Sequence, residues 1–261
     1  METLVSRGII NSYFEKLSRN LTLDAAIVGG GPSGLVAAYY LAKAGKRVAL
    51  FERKLAPGGG MWGGAMMFND IVVQSNVLPI LDELGVAYTA GESNTDTYIV
   101  DSVHATSALI YAATKAGATI FNCYSVEDVV FKAEEVAGLV VNWAPVIREG
   151  MHVDPLIITS TAVLEGTGHD CMIAKTVARK NSVKLNTPTG EVIGEGSLDI
   201  DAAEPATVVN TKEIYPGLFV SGMAANGVNG SPRMGPIFGG MLLSGVRAAE
   251  LMIAKIESKN E

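Results

Sequence analysis

The sequence predicts an α/β fold with a βαβ dinucleotide-binding core and a β-rich excursion. Three observations carry that prediction. Between Leu23 and Phe51 an apolar strand, a glycine cluster, an Ala/Leu-rich helix and a second apolar strand follow one another. Residues 126–143 alternate between apolar and polar, the period of half-buried strands. Two later apolar runs, near Gly168 and Ser221, stop at glycine-rich polar loops.

The elements follow in order. Leu4, Ile9, Ile10, Tyr13, Phe14 and Leu17 have helical spacing, so residues 2–17 read as an amphipathic N-terminal helix. Leu23 to Val28 reads as a buried strand, Pro32 to Ala44 as a helix stopped by Gly45, and Arg47 to Phe51 as a second strand. Pro57 to Gly64, PGGGMWGG, is a loop whose glycines permit close backbone approaches. Val77 to Leu84 and Ser102 to Lys115 read as helices, and Ala118 to Phe121 as a short strand. Residues 126–143 read as a hairpin with its turn near Glu134 to Gly138. Met151 to Thr161 is apolar with an embedded polar triplet, and Val163 to Gly168 reads as a core strand leading to His169. Asp170 to Ala178 reads as a helix with Asp170 as its N-cap. Thr187 to Val209 is rich in Gly, Asp and Glu and reads as an irregular excursion. Gly217 to Ser221 is again a strand, and Gly239 to Ile256 a long C-terminal helix. With no repeat and no low-complexity linker, residues 1–261 read as a single domain.

Composition narrows the function. The chain is 48% hydrophobic and 18% charged, which suits a packed globule and not a disordered segment. A net charge of −7 disfavours nucleic acid, and the basic residues, such as Arg47, Arg53, Lys54 and Arg148, are scattered. Cys123 and Cys171 are far apart and form no CxxC pair, so two reduced thiols are expected. No apolar run is long enough for a bilayer, and Glu2, Arg7, Glu15 and Lys16 spoil any signal-peptide core. A cytoplasmic protein without a membrane partner is the expectation.

The spacing Gly29-x-Gly31-x-x-Gly34 sits between a strand and a helix. The first glycine allows a sharp turn, the second lets backbone N–H groups reach a pyrophosphate, and the third lets helix and strand pack closely. Glu52 ends the second strand, where a carboxylate accepts the ribose hydroxyls of an adenosine and repels a 2′-phosphate. A Rossmann-like site for NAD or FAD, not NADP, follows. Arg53 has two readings, a diphosphate contact or a solvated charge.

The order of elements resembles the glutathione-reductase type of flavoprotein. There a late segment ends in Gly-Asp, and the Asp holds the flavin's ribityl chain. Here the segment is PGLFVSGM, and Met223 stands in the Asp position. A thioether cannot accept hydroxyl hydrogen bonds as a carboxylate does. The adenosine half of the site is kept and the flavin half is lost.

The chain has three histidines, His104, His152 and His169. His104 opens a helix and reads as structural. In the extended segment Met151 to Pro155, His152 and Asp154 fall on one side. His169 follows the strand run that ends at Gly168. Imidazole plus carboxylate suits Fe(II), Mn(II) or Zn(II). The spacing alone leaves open that these are loop residues satisfying backbone groups.

Together these motifs resemble the thiazole synthase family of thiamin biosynthesis. The resemblance runs nearly end to end: GGGPSG from Gly29, FER at Phe51 to Arg53, GGGMWGGAMMF from Gly58, HVDP from His152, TGHD from Thr167, and GMAANGVNGSPRMGPIFGGMLLSG from Gly222 to Gly245. It implies dinucleotide contacts at Ser33, Glu52, Arg53, Gly60, Val126 and Met223, and along His152, Val153 and Asp154. It implies an iron ion on Asp154 and His169 brought together from neighbouring protomers, a homo-octamer, and a glycine carboxylate on Arg233. An arginine fork suits that carboxylate. In the yeast and plant branch, the residue two before the ligand Asp is a cysteine that gives up its sulfur. Here it is His152, which has none to give, and the chain resembles the sulfide-dependent branch best known from methanogenic archaea. His152 is then expected to assist the metal or an acid–base step.

The implied reaction is a transfer acting on the ADP-ribose part of NAD. NAD is a substrate that loses nicotinamide, glycine condenses with the opened sugar, and sulfide and Fe(II) complete an adenylated thiazole carboxylate. His152, Asp154 and His169 are the expected catalytic residues. An FAD-dependent oxidoreductase and a non-catalytic dinucleotide-binding protein are the alternatives; bound flavin would mark the first, and nucleotide retained without metal or turnover the second.

Overall fold

The computed structural model describes residues 1–259. The first half of the chain forms α1 (Glu2–Arg19), β1 (Thr22–Val28), α2 (Pro32–Lys43), β2 (Val48–Glu52), β3 (Asp70–Val73), α3 (Leu78–Leu84), β4 (Thr89–Ala90), β5 (Tyr98–Asp101), α4 (Ser102–Ala116) and β6 (Thr119–Asn122). The second half forms β7 (Tyr124–Lys132), β8 (Glu135–Trp143), α5 (Ala144–Arg148), β9 (Leu156–Glu165), α6 (Met172–Asn181), β10 (Gly196–Leu198), α7 (Ile200–Val209), β11 (Lys212–Tyr215), β12 (Leu218–Val220), α8 (Met223–Asn229), β13 (Pro232–Arg233) and α9 (Gly239–Ser258).

The main sheet runs β11-β12-β9-β1-β2-β6, and β12, β9, β1, β2 and β6 are parallel. Its inner strands read as unbroken apolar runs because both faces are covered. In β1, Ala25 and Ile27 join the core under α2, α4 and α9, whereas Ala26 and Val28 join the core with Leu17, α6 and α8. That split is the two-residue period of a strand. The chain steps outward from β1 to β2 to β6, then returns to place β9 on the other side of β1. The strand order therefore reverses between β1 and β9, and the crevice beyond their carboxyl ends is where such sheets bind ligands.

Two glycines close that crevice. Gly29 has φ +98°, and a Cβ there would lie 2.4 Å from the Gly166 carbonyl oxygen. A Cβ on Gly34 would lie 2.2 Å from the Gly29 oxygen, so this glycine lets α2 pack onto the end of β1. The hairpin β7–β8 joins the same sheet: β8 pairs with the first half of β9, from Gly138↔Thr159 to Val141↔Leu156, and β12 pairs with its second half.

The structure corrects several expectations. The hairpin turns at Ala133 and Glu134, with φ 50° and 59°, a two-residue turn with both angles positive. Gly138 lies inside β8 instead. The polar residues Thr159 to Thr161 do not interrupt β9: Thr159 Oγ1 donates to Leu21 O at 3.2 Å and Ser160 Oγ to Ala162 O at 2.7 Å. Residues 187–209 are not irregular throughout. They include β10 and α7, the latter capped by Asp199, which accepts from Ala202 N at 3.2 Å. Pro205 hides α7 from a reading by propensity, and packing of Ala203, Glu204 and Thr207 keeps it helical. The small sheet β4-β5-β3 and the edge strand β11 are too short to leave a period in the sequence. Asp170 is not the cap of α6; that position is Cys171, with φ 46°. In α1 only Leu17 is buried, and Leu4, Ile9, Ile10 and Phe14 face outward.

Candidate functional site

Beyond the ends of β1, β2 and β9 lies a cavity of about 620 Å³. Gly29, Gly31, Ser33, Glu52, Arg53, Gly60, Val126, His169, Met223 and Arg233 all line it. Gly34 does not; it serves the packing of α2. His152, Val153 and Asp154 do not line it either, and they are exposed on the segment before β9.

The wall formed by the ends of β1 and β2 and the start of α2 is mostly backbone. Gly31 is the N-cap of α2, so the first free N–H groups of that helix and its positive dipole end point at the crevice. Glu52 is 6% exposed, and its carboxylate accepts Gly30 N at 2.8 Å on Oε2 and Lys54 N at 2.8 Å on Oε1. Each oxygen keeps a lone pair for a further donor. Ser33 receives a hydrogen bond from Ser221 Oγ at 3.1 Å, and Gly222 N donates to Ser244 Oγ at 2.7 Å. These hydroxyls tie the end of β12 to α2 and α9. Met223 begins α8 and lines the cavity.

The opposite wall carries side chains. Arg53 Nη2 lies 3.0 Å from Asp170 Oδ2, an exposed pair across the mouth. His169 sits in a short 3-10 turn, Gly168–Asp170, and its Nδ1 is 2.7 Å from Glu195 Oε2. Glu165 anchors this turn from below. It is completely buried, and it accepts Thr167 N at 2.8 Å and the Ile173 and Ala174 amides at the start of α6. Burial pushes its carboxyl up and the amides oppose that shift. Arg233 is exposed on β13, which pairs with β10.

Glu165 and Glu195 were not singled out by the sequence. Glu165 ends an apolar run, where a buried acid leaves no signature. Glu195 meets His169 across 26 residues, from a stretch that reads as irregular. His104 lies outside the cavity, with its backbone N donating to Asp101 at 2.6 Å as part of the α4 cap.

Among the described residues, no group of three or more His, Cys, Asp or Glu side chains is arranged to hold a metal ion. One chain brings His169 to the cavity and leaves Asp154 outside it. The Asp154 side chain faces solvent, and Asn142 Nδ2 donates to the neighbouring Val153 O at 3.0 Å, which pins the segment. Cys171 is buried, and burial pushes its thiol up to about 12. Cys123 does not line the cavity. Among the described residues no helix is long and apolar enough to cross a membrane.

Comparison with known proteins shows the family of the chain. The profile of the Thi4 family matches residues 6–238. The thiamine thiazole synthase of Methanothermobacter thermautotrophicus is 54% identical over 253 residues, 97% of each chain. That of Pyrococcus horikoshii is 47% identical over 257 residues, 98% of this chain and 99% of the relative. The crystal structure of Thermovibrio ammonificans THI4 superposes with a TM-score of 0.96 at 52% identity, covering 98% of this chain and 99% of that one.

Proposed function

This chain belongs to the Thi4 family and is an enzyme of thiazole synthesis, and we propose that it builds the thiazole from NAD, glycine and sulfide with the help of Fe(II). One observation carries the reading: the Gly29 turn, Glu52, His169 and Arg233 line a single cavity. A dinucleotide grip, an imidazole and a carboxylate clamp are then within reach of one bound molecule.

The residues divide the work. The amides at the start of α2 hold the diphosphate, with Arg53 leaving Asp170 to join them. Glu52 accepts the adenosine ribose hydroxyls, and Met223 offers no acceptor to a flavin's ribityl chain. Arg233 pairs with the carboxylate of glycine and orients its amine toward the opened sugar. Nicotinamide departs as the leaving group, so no hydride acceptor is needed.

His169 and Asp154 would hold the iron. The donor set fits it in chemistry, an imidazole and a carboxylate, and fits as a site shared between copies, since one chain keeps the two apart. When bound, Fe(II) supplies Lewis acidity and a place for sulfide. His152, beside Asp154, is the group for proton transfer there. The sulfur comes from outside the chain: the Cys171 thiol is buried with its pKa raised to about 12, and Cys123 is away from the cavity. The outward apolar residues of α1 support assembly, and a homo-octamer is the proposed state.

Anaerobic incubation with NAD, glycine, sulfide and Fe(II) tests this directly. Mass spectrometry is expected to show an adenylated thiazole carboxylate and free nicotinamide, with Cys123→Ser and Cys171→Ser still active. Product formed without sulfide, or bound flavin with no NAD consumption, overturns the assignment. Mixing Asp154→Asn with His169→Ala subunits is expected to restore part of the lost turnover; no restoration removes the shared site.

A further inference from the structure

His169 is half-exposed at the cavity wall, yet one of its two ring nitrogens is already engaged, 2.7 Å from Glu195 Oε2. We infer that Glu195 is a positioning residue that fixes the Nδ1–H form of His169 and leaves the Nε2 lone pair for a ligand at the cavity. A carboxylate accepts from a ring N–H and cannot donate when ionised, so the proton between them belongs to Nδ1. Ligating histidines are commonly oriented this way by a carboxylate on the other nitrogen. The inference rests on the proposed role of His169 as a metal ligand.

The backbone around Glu195 is what makes this contact more than a surface pair. Ile193 N donates to Val228 O at 3.3 Å, Gly194 N to Gly227 O at 2.8 Å, and Gly196 N to Ser231 O at 3.0 Å. β10 then pairs with β13, matching Leu198 to Arg233. Glu195 is thus fastened on both sides to the segment that carries Arg233. On the other partner, Glu165 and Thr167 hold the turn that bears His169: Glu165 accepts Thr167 N at 2.8 Å, and Thr167 Oγ1 accepts Met172 N at 3.1 Å. The 2.7 Å contact therefore joins two anchored segments and couples the aim of the imidazole to the strand bearing Arg233. A freely exposed ion pair has no such coupling and contributes little.

The test uses the full-length assembled protein. Equilibrium dialysis against Fe(II) under anaerobic conditions compares wild type, Glu195→Ala, Glu195→Gln and His169→Ala. Glu195→Ala is expected to weaken Fe(II) binding about 10–100-fold. Glu195→Gln is expected to recover most of it, because its amide oxygen still accepts from Nδ1. In histidine-labelled, metal-free protein, 15N solid-state NMR is expected to show the Nδ1–H form of His169 in wild type and Glu195→Gln, and a mixture in Glu195→Ala. Wild-type Fe(II) affinity in Glu195→Ala, with binding lost in His169→Ala, overturns the positioning role and spares the ligand role. Unchanged binding in His169→Ala removes the ligand role itself, and the inference falls with it.

Discussion

The two walls of the cavity are made of different materials. On one side, backbone amides of the Gly29 turn and the 6% exposed Glu52 form a surface that a single chain completes. On the other, His169 and Arg233 stand partly in solvent, and Asp154 lies outside the cavity on an exposed segment. The first wall is fixed by the sheet itself, because the strand ends and the helix start have one way to meet. The second is fixed by loops and short strands and needs something further to close it. On the proposed function, dinucleotide recognition would be intrinsic to the fold, whereas the reacting side would depend on assembly and on what binds there.

Substitutions separate the two walls, and the largest effect is expected on the second. Asp154→Asn should cut turnover by roughly a thousandfold, the scale of losing a metal's stabilisation of developing charge. Its NAD affinity should match wild type, since Asp154 does not line the cavity of its own chain; a fall in NAD affinity would merge the two walls into one. Next, Gly29→Ala attacks the first wall at its foundation. A Cβ 2.4 Å from the Gly166 oxygen, at φ +98°, should cost about 3 kcal/mol. That is a melting temperature lower by roughly 6–12 °C in calorimetry.

Glu52→Gln should act on the proposed nucleotide pocket. Replacing a carboxylate that accepts two amides removes charge-assisted hydrogen bonds, so NAD should bind about tenfold or more weakly by isothermal titration. Discrimination against a 2′-phosphate should relax in the same experiment; unchanged preference would mean that Glu52 does not face the ribose.

The smallest effect lies behind both walls, at Glu204. This buried acid accepts Gly240 N at 2.7 Å on Oε2, while its Oε1 and Gln74 Oε1 have no partner among the described residues. Burial raises its carboxyl above the ordinary 4.5. Its stabilising contribution is thus complete below about 4.5 and fades as the pH climbs through the raised folded value. Glu204→Gln carries no charge to bury, so it should gain about 1 kcal/mol over wild type near neutrality and nothing in acid. Melting curves across pH check this, with a shift of roughly 2–4 °C at neutral pH. A pH-independent difference would show that the ionised form is not what is penalised.

The first wall was also the legible one. A glycine's need for a close approach, a strand before it and an acid after it are local facts, and they survive in spacing. The second wall was legible only through its resemblance to a family. His169 and Glu195 meet because β10 lies on β13, a pairing of a few residues that no period announces. Among the elements, long helices and buried strands were readable from their apolar runs. The β7–β8 turn was misplaced because Ala133 and Glu134 take positive φ angles usually left to Asn and Gly, while Gly138 drew attention into the strand. The helix α7 was missed because Pro205 argues against a helix that tertiary packing holds in place.

The outward row on α1 has a thermodynamic consequence. Leu4, Ile9, Ile10 and Phe14 are each more than half exposed, while Tyr13 Oη meets Tyr124 Oη at 2.6 Å and holds the helix to the body. A second copy of the chain that covered these residues only in the folded form would add to stability by mass action. Heat resistance would then rise with protein concentration, and a solution diluted far enough would melt earlier than the same solution left strong.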